Sequence, residues 1–280
     1  MDMALIRKLY LRLCNVYRKL NLIVEVAVKL GADASSKRKL VLSGFWLYWN
    51  NVRRKPYAFT ARLEKFGQSF SFQFENVGDY GTLHGIFVQD EYQIDLPEDP
   101  DIILDLGSYV GLSLVYFRLR YPRAKLYGFE PDPNNYQRLE DNVRQLRNVQ
   151  VLNTAVSSFD GKITLFVNPY RGYSSSVFQR QSGQETVEVE TKKLDTLVSE
   201  LGVDQVDLLK FDIEGAEMEV FRSFRQMDLV TTYIGEAHPA LGGWRMQDFV
   251  SLFDGYEIEF DETKPQSRYL FVARKKNHDA

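Results

Sequence analysis

The sequence predicts an α/β protein, a mostly parallel wound sheet closed by a C-terminal antiparallel hairpin and preceded by an N-terminal helical/β extension. Three observations predict it. From Asp101 onward, short apolar runs alternate with helical patterns. That alternation ends in two strand-like runs, Tyr256–Phe260 and Tyr269–Ala273, joined by a polar loop too short for a right-handed crossover. Residues 3–30 instead keep a helical period.

Composition narrows the class. With 44% hydrophobic and 26% charged residues, the chain has the balance of a core-forming protein rather than a disordered one. Cys14 is the single cysteine, which excludes an internal disulfide or thiolate cluster and fits a reducing compartment. No run approaches the roughly 18 apolar residues of a membrane span. Charges through the first thirty residues do not fit a signal peptide. A cytoplasmic location is the expectation. Charge is unevenly distributed. Residues 1–65 hold fourteen Lys/Arg and four acids, a net of +10, against −13 for the remainder.

The elements follow in order. In the 3–30 helix, Leu5, Leu9, Leu13, Val16, Leu20 and Ala27 share one face, Lys8, Arg12, Asn15 and Lys19 another, and Gly31 is the expected stop. A basic, aromatic stretch runs from Lys37 to Phe59. Phe70, Phe72 and Phe74 alternate with polar residues as a strand does. Pro97 and Pro100 read as a linker, dividing an accessory region, 1–97, from a second domain, 98–280. Strands are expected at 102–104, 125–129, 149–156, 206–211 and 230–235. Helices are expected at 109–120, 134–146, 194–201, 216–225 and 244–253. An insertion, 160–193, reads as a β-hairpin with a Gly/Ser-rich tip, 171–176, and that tip is a candidate acceptor lid.

The first strand of the second domain ends Asp105-Leu106-Gly107-Ser108-Tyr109-Val110-Gly111. Glycines there permit a tight turn and close backbone approach, and the next helix offers N–H groups to an anion. The second strand ends at Glu130, 23 residues beyond Gly107. An acid so placed, about 20 residues on, accepts hydrogen bonds from ribose hydroxyls. This is a Rossmann-like nucleoside site. NAD usually requires a third glycine beside its pyrophosphate. Tyr109 occupies that position and obstructs a pyrophosphate, but not the methionine tail of S-adenosylmethionine. The closing hairpin also departs from a purely wound dehydrogenase.

Four segments resemble the FkbM family of methyltransferases. GTLHGIFVQDEYQID (81–95) is similar to the family's lead-in, with Glu91 and Tyr92. ILDLGSYVGLSL (103–114) is similar to the first motif of class I methyltransferases. YGFEPDP (127–133) is similar to the ribose-binding segment. LDTLVSELGVDQVDLLKFDIEGAEMEV (194–220) resembles the family's distinctive block. The resemblance covers about residues 80 to 275. It implies a class I methyltransferase fold and O-methylation of a sugar, glycolipid, glycan or natural product. For the donor it implies Asp105, Gly107, Ser108, Tyr109, Gly111, Glu130, Pro131, Ala155 and Asp212. A non-catalytic nucleoside- or glycan-binding module and an NAD-dependent reductase are the alternatives.

On the acceptor side, Lys210, Asp212 and Glu214 alternate at the end of the fourth strand, and Gly215 and Glu217 open the next helix. Asp212 is the candidate base or metal ligand. Lys210 is a candidate for tuning its charge or holding the acceptor, and Glu214 for shaping the loop or contacting substrate. Glu217 is expected to favour the helix N-terminus. The fifth strand leads into Glu236 and His238. Asp212, Glu236 and His238 offer an O/O/N set for a divalent metal, while His238 alone can serve as a general base or as a hydrogen-bonded loop residue before Pro239. The basic helix at 3–30 has two readings: packing on the protein or on a second copy, and peripheral membrane contact. No nucleic-acid motif is present, and no such partner is expected.

Overall fold

In a computed structural model, residues 3–53, 55–167, 185–260 and 268–276 are described. The Gly/Ser tip at 171–176 lies outside them. Two compact units divide between Gln93 and Ile94.

The first unit begins with an antiparallel helical hairpin, α1 (Met3–Leu30) and α2 (Ala34–Val52). Asp33 caps α2, its side chain accepting the Ser36 N–H at 2.7 Å. Gly44 lets the helices close. A Cβ there would stand 2.7 Å from Ile23 Cγ2 and 2.5 Å from the Tyr80 hydroxyl. That hydroxyl donates to Leu40 O at 2.7 Å. Next comes a hairpin of β1 (Phe59–Lys65) and β2 (Gln68–Phe74), turning through Phe66 and Gly67, both with positive φ. Then α3 (Val77–Leu83), with an Asn76/Asp79 capping box, runs into a π-turn at His84–Val88. Phe59 stacks on Phe74, and Phe74 packs on Tyr80, at centroid distances of 4.9 and 4.6 Å. The Lys37–Phe59 stretch, left without an assigned element from sequence, is mostly helix α2.

The second unit is the wound sheet. Its first βα pairs are β3 (Ile102–Leu106) with α4 (Leu112–Arg120) and β4 (Lys125–Phe129) with α5 (Pro133–Val143). Next is β5 (Val149–Leu152). A separate three-stranded sheet follows, from β6 (Ala155–Ser157), β7 (Gly161–Val167) and β8 (Glu185–Lys193), in the order β6-β8-β7. The chain returns through α6 (Leu194–Leu201), β9 (Val206–Phe211), α7 (Glu217–Ser223) and β10 (Val230–Ala237). It ends through α8 (Pro239–Gly242), α9 (Met246–Val250), β11 (Tyr256–Phe260) and β12 (Tyr269–Lys275).

The main sheet has the order β11-β12-β10-β9-β3-β4-β5. Strands β3, β4, β5, β9 and β10 run parallel, and β12 is antiparallel to both of its neighbours. Strand order reverses between β3 and β9, which opens a crevice at their carboxyl ends. Asp207 ties the opposite ends together, accepting the N–H groups of Asp101 and Ile102 at 2.8 and 2.9 Å. Phe211, Phe221, Phe249, Phe253 and Phe271 are fully buried around β9, β10 and β12. Each such ring contributes roughly 1.5–3 kcal/mol on burial, so this cluster anchors the strands that carry the crevice.

Two sequence expectations change. The strand expected at 149–156 is two strands in two sheets. Asn153 leaves the ladder and donates to Glu130 O and Pro131 O at 2.8 and 3.0 Å, while Thr154 Oγ1 donates to Glu190 O at 3.2 Å. The helix expected from 109 begins at Leu112, because Tyr109 and Gly111 are left-handed, with φ of 50° and 87°.

Candidate functional site

The turn after β3 is braced on β4. The N–H groups of Gly107 and Ser108 both donate to Phe129 O at 3.0 Å. Ser108 Oγ donates to Asp105 O at 2.9 Å and accepts from Phe129 N–H at 3.1 Å. Gly107 has φ of 76°, and a Cβ there would stand 1.9 Å from Asp212 O. The turn and the end of β9 are therefore packed backbone on backbone. Asp212 N–H donates to Leu106 O at 2.9 Å.

Asp105 is fully buried. It accepts Ser113 Oγ at 2.5 Å and lies 2.9 Å from Lys210 Nζ. Lys210 also donates to Gly107 O at 2.8 Å. Burial works against the Lys210 ammonium, but the carboxylates of Asp105, Asp212 and Glu236 together outweigh it and raise the pKa. Lys210 is thus a fixed cation under the turn.

Glu130 closes the turn from β4. Its carboxylate accepts Tyr109 N–H at 2.9 Å, Asp132 N–H at 3.0 Å and Asn135 Nδ2 at 3.4 Å. Burial pushes its pKa up to about 8, although these hydrogen bonds oppose the rise. Pro131 is held through its carbonyl by Asn153. Ala155 stands apart from these bonds, buried with Leu165, Val167 and Val189 in the smaller sheet.

Across the crevice, His238 is ringed by four carboxylates. Its Nδ1 lies 2.9 Å from Glu217 Oε1. Its Nε2 faces Glu236 at 3.6 Å, Glu214 at 3.8 Å and Asp212 at 4.0 Å. Burial opposes a charged ring, yet the hydrogen bond that Nδ1–H donates to Glu217 and the nearby acids push the His238 pKa up to about 10. Glu236 is buried too, but His238 and Arg268 hold its pKa down to about 2. Asp212 moves the other way. Burial and the Glu236 carboxylate hold it well above the usual carboxylate range. Glu214 adopts φ of 54°, a left-handed conformation that costs about 1–3 kcal/mol for a residue other than glycine.

The structure brings Asp105, Gly107, Ser108, Tyr109 and Glu130 into one bonded turn, and Asp212, Glu214, Glu236 and His238 into one cluster. From sequence, Glu217 is expected chiefly to favour the helix N-terminus. It is the first residue of α7 and accepts Gly215 N–H at 3.0 Å, and the same oxygen orients His238. No local signal announces that pairing, since it depends on β10 lying beside α7.

A family model described as "Methyltransferase FkbM domain" matches residues 105–257, which span both groups. The chain belongs to the FkbM methyltransferase family. It is an S-adenosylmethionine-dependent methyltransferase of the class I α/β fold, and the NAD-dependent alternative falls with that assignment. The chain is 30% identical to methyltransferase sdnD of Sordaria araneosa, over 69% of this chain and 88% of that protein. It is 29% identical to 2-O-methyltransferase NoeI of Sinorhizobium fredii, over 50% of this chain and 65% of that protein. It is 26% identical to hexuronic acid methyltransferase AglP of Haloferax volcanii, over 65% of this chain and 73% of that protein. No helix among the described residues of this FkbM protein is long and apolar enough to cross a membrane.

Proposed function

We propose that this enzyme methylates a hydroxyl of a sugar, glycan or natural product, with Asp212 taking the hydroxyl proton. The position of Asp212 carries the reading. Its backbone is bonded to the glycine turn, while its buried Oδ1 makes no hydrogen bond within the described residues. A carboxylate raised in pKa is a stronger base, better matched to a poorly acidic hydroxyl. His238 and Glu214 frame the acceptor beside it, and Lys210 positions the turn from beneath. The names of NoeI, a 2-O-methyltransferase, and AglP, a hexuronic acid methyltransferase, support an oxygen acceptor on a sugar.

In this reading Asp105, Gly107, Ser108, Tyr109, Gly111, Glu130 and Pro131 form the donor site, edged by Asp212. Ala155 opens β6 two residues after Asn153, which holds Glu130 O and Pro131 O, and belongs to the same proposal. Two features fit the donor. The N-terminus of α4 has no side-chain cap, so its N–H groups can bind a carboxylate. Among the described residues, Glu130 Oε2 accepts only the Tyr109 N–H, which leaves it lone-pair capacity for a ribose hydroxyl. When bound, S-adenosylmethionine supplies a methyl group on a positively charged sulfur.

A specific observation favours a second reading at the same site. Asp212, Glu214 and His238 each offer an atom within 4.8 Å of the others, a set able to hold a divalent cation that would acidify a hydroxyl. Glu217 on Nδ1 leaves Nε2 directed at that set, as in metal-bound histidines. Glu214 replaces Glu236 in the set expected from sequence, because Glu236 is paired with Arg268.

The test is release of S-adenosylhomocysteine with a panel of sugar hydroxyl acceptors. Asp212→Asn is expected to lower turnover by about 10²–10⁴ and leave donor binding near wild type. Wild-type turnover in that variant removes Asp212 as the base. Turnover surviving exhaustive chelation removes the cation.

A further inference from the structure

Helix α2 is apolar on two opposite faces. One is committed to its own unit, with Leu40, Gly44 and Leu47 buried. The other carries Leu42, Phe45, Trp46, Trp49 and Val52, spaced as a single helical stripe. All five are exposed, Trp46 at 54% and Trp49 at 53%. An outward helix face ordinarily carries charge. Here the charge sits only at the ends of the stripe. Arg38 and Lys39 precede it on the same face, and Arg53 follows, its guanidinium 5.7 Å from the Trp49 ring centroid. Between Asp33 and Glu64 there are seven Lys/Arg and no acid at all.

We propose that this face of α2 docks the enzyme on an anionic lipid bilayer, with the helix lying in the plane of the interface. Indole rings favour the headgroup level, where their apolar body and polar N–H are both accommodated. Cations at both ends of a helix lying flat reach lipid phosphates, and anionic lipid supplies the charge that the stretch lacks. The pattern disfavours single-stranded nucleic acid, which calls for a basic groove interleaved with stacking rings along its length. Here five apolar side chains run together without an intervening cation. The contact expected from sequence at residues 3–30 thus passes to the next helix. The proposal does not depend on the nature of the methyl acceptor.

The test uses the full chain with phosphatidylcholine vesicles, with and without phosphatidylserine. Flotation is expected only with phosphatidylserine, and it weakens with salt. Brominated phosphatidylcholine mixed into the anionic vesicles should quench tryptophan fluorescence. Arg38→Gln/Lys39→Gln/Arg53→Gln is expected to lower partitioning about a hundredfold, from about fivefold per cation. Trp46→Ser/Trp49→Ser should abolish the quenching. A wild-type far-ultraviolet circular dichroism spectrum and melting temperature check that both variants fold. Absence of flotation overturns the proposal, and so does flotation that neither variant reduces. Binding to polyuridylate without flotation overturns it in favour of nucleic acid. A dimer broken by the tryptophan substitutions, again without flotation, overturns it in favour of a second copy. If the variants do not fold, wild-type quenching decides, and none overturns the proposal.

Discussion

Glu130 sits at the point where burial and ligand chemistry oppose each other. Its carboxyl is pushed up to about 8 in the free protein, so at neutral pH the neutral form dominates. A ribose whose hydroxyls donate to Glu130 favours the charged form. Donor binding should therefore release a proton and tighten as pH rises through about 8. The same shift acts on stability. Between the ordinary carboxyl range and about 8, the folded state binds more protons than the unfolded chain. The contribution of Glu130 to stability is consequently largest at low pH and declines as pH rises through that window. Calorimetry at neutral pH in buffers of different ionisation enthalpy should show nearly one proton released per donor bound, and none in Glu130→Gln. Equal apparent enthalpies in all buffers for the wild type would exclude this role. Sequence spacing was enough to place Glu130 opposite the glycine turn. It was not enough to pair Lys210 with Asp105, which lie on adjacent strands but far apart in the chain. It also could not pair Glu217 with His238. Residue type and strand end were readable, whereas partners across strands depend on registers that no local pattern encodes.

At the scale of elements, the β3–α4 turn tolerates no side chain at Gly107. The Cβ would enter the Asp212 carbonyl and would also need a left-handed backbone. Strain and overpacking together make Gly107→Ala destabilising by about 2–4 kcal/mol. Donor binding should be lost even below the melting transition, because relief requires the turn to leave β9. Thermal denaturation and donor titration of this one variant check both, and a wild-type melting temperature refutes the close approach. The turn was legible because glycines, an acid and a buried strand occur together. Helix α2 was not legible. Apolar residues on two opposite faces erase the period that reveals a helix, and Val, Phe, Trp and Tyr favour strands. The run at 149–156 misled for the opposite reason. Val149, Val151, Leu152, Ala155 and Val156 supply the apolar residues of a single strand, and only the hydrogen bonds of Asn153 and Thr154 reveal that it changes sheets.

For the whole molecule, chemistry and charge divide along the chain. Every residue in the bonded turn and in the His238 cluster lies in the unit that begins at Ile94. The acid-free, tryptophan-bearing stretch lies in the other. Residues 94–280 expressed alone are expected to bind S-adenosylmethionine as the full chain does, and to lose flotation on anionic vesicles. Loss of donor binding in that fragment would mean that the first unit is needed to form the pocket. From sequence, the opposite net charges and the change of texture near Asp101 suggest a boundary after residue 97, and the compact units divide at Gln93 and Ile94.

The slot filled by β12 has a consequence for how the protein is made. β12 follows β11 in the chain but is inserted between β11 and β10. A ribosome therefore delivers β10 well before the strand that covers its flank. Until then, the edge from Thr232 to Ala237 is an unpaired template beside Glu236 and His238, open to any extended chain that meets it. Arrival of Tyr269–Lys275 closes that edge. It also brings Phe271 into the aromatic cluster. A nascent chain thus has its glycine turn long before it has a finished acidic crevice, and a ribosome that stalls in between leaves behind an edge that invites aggregation.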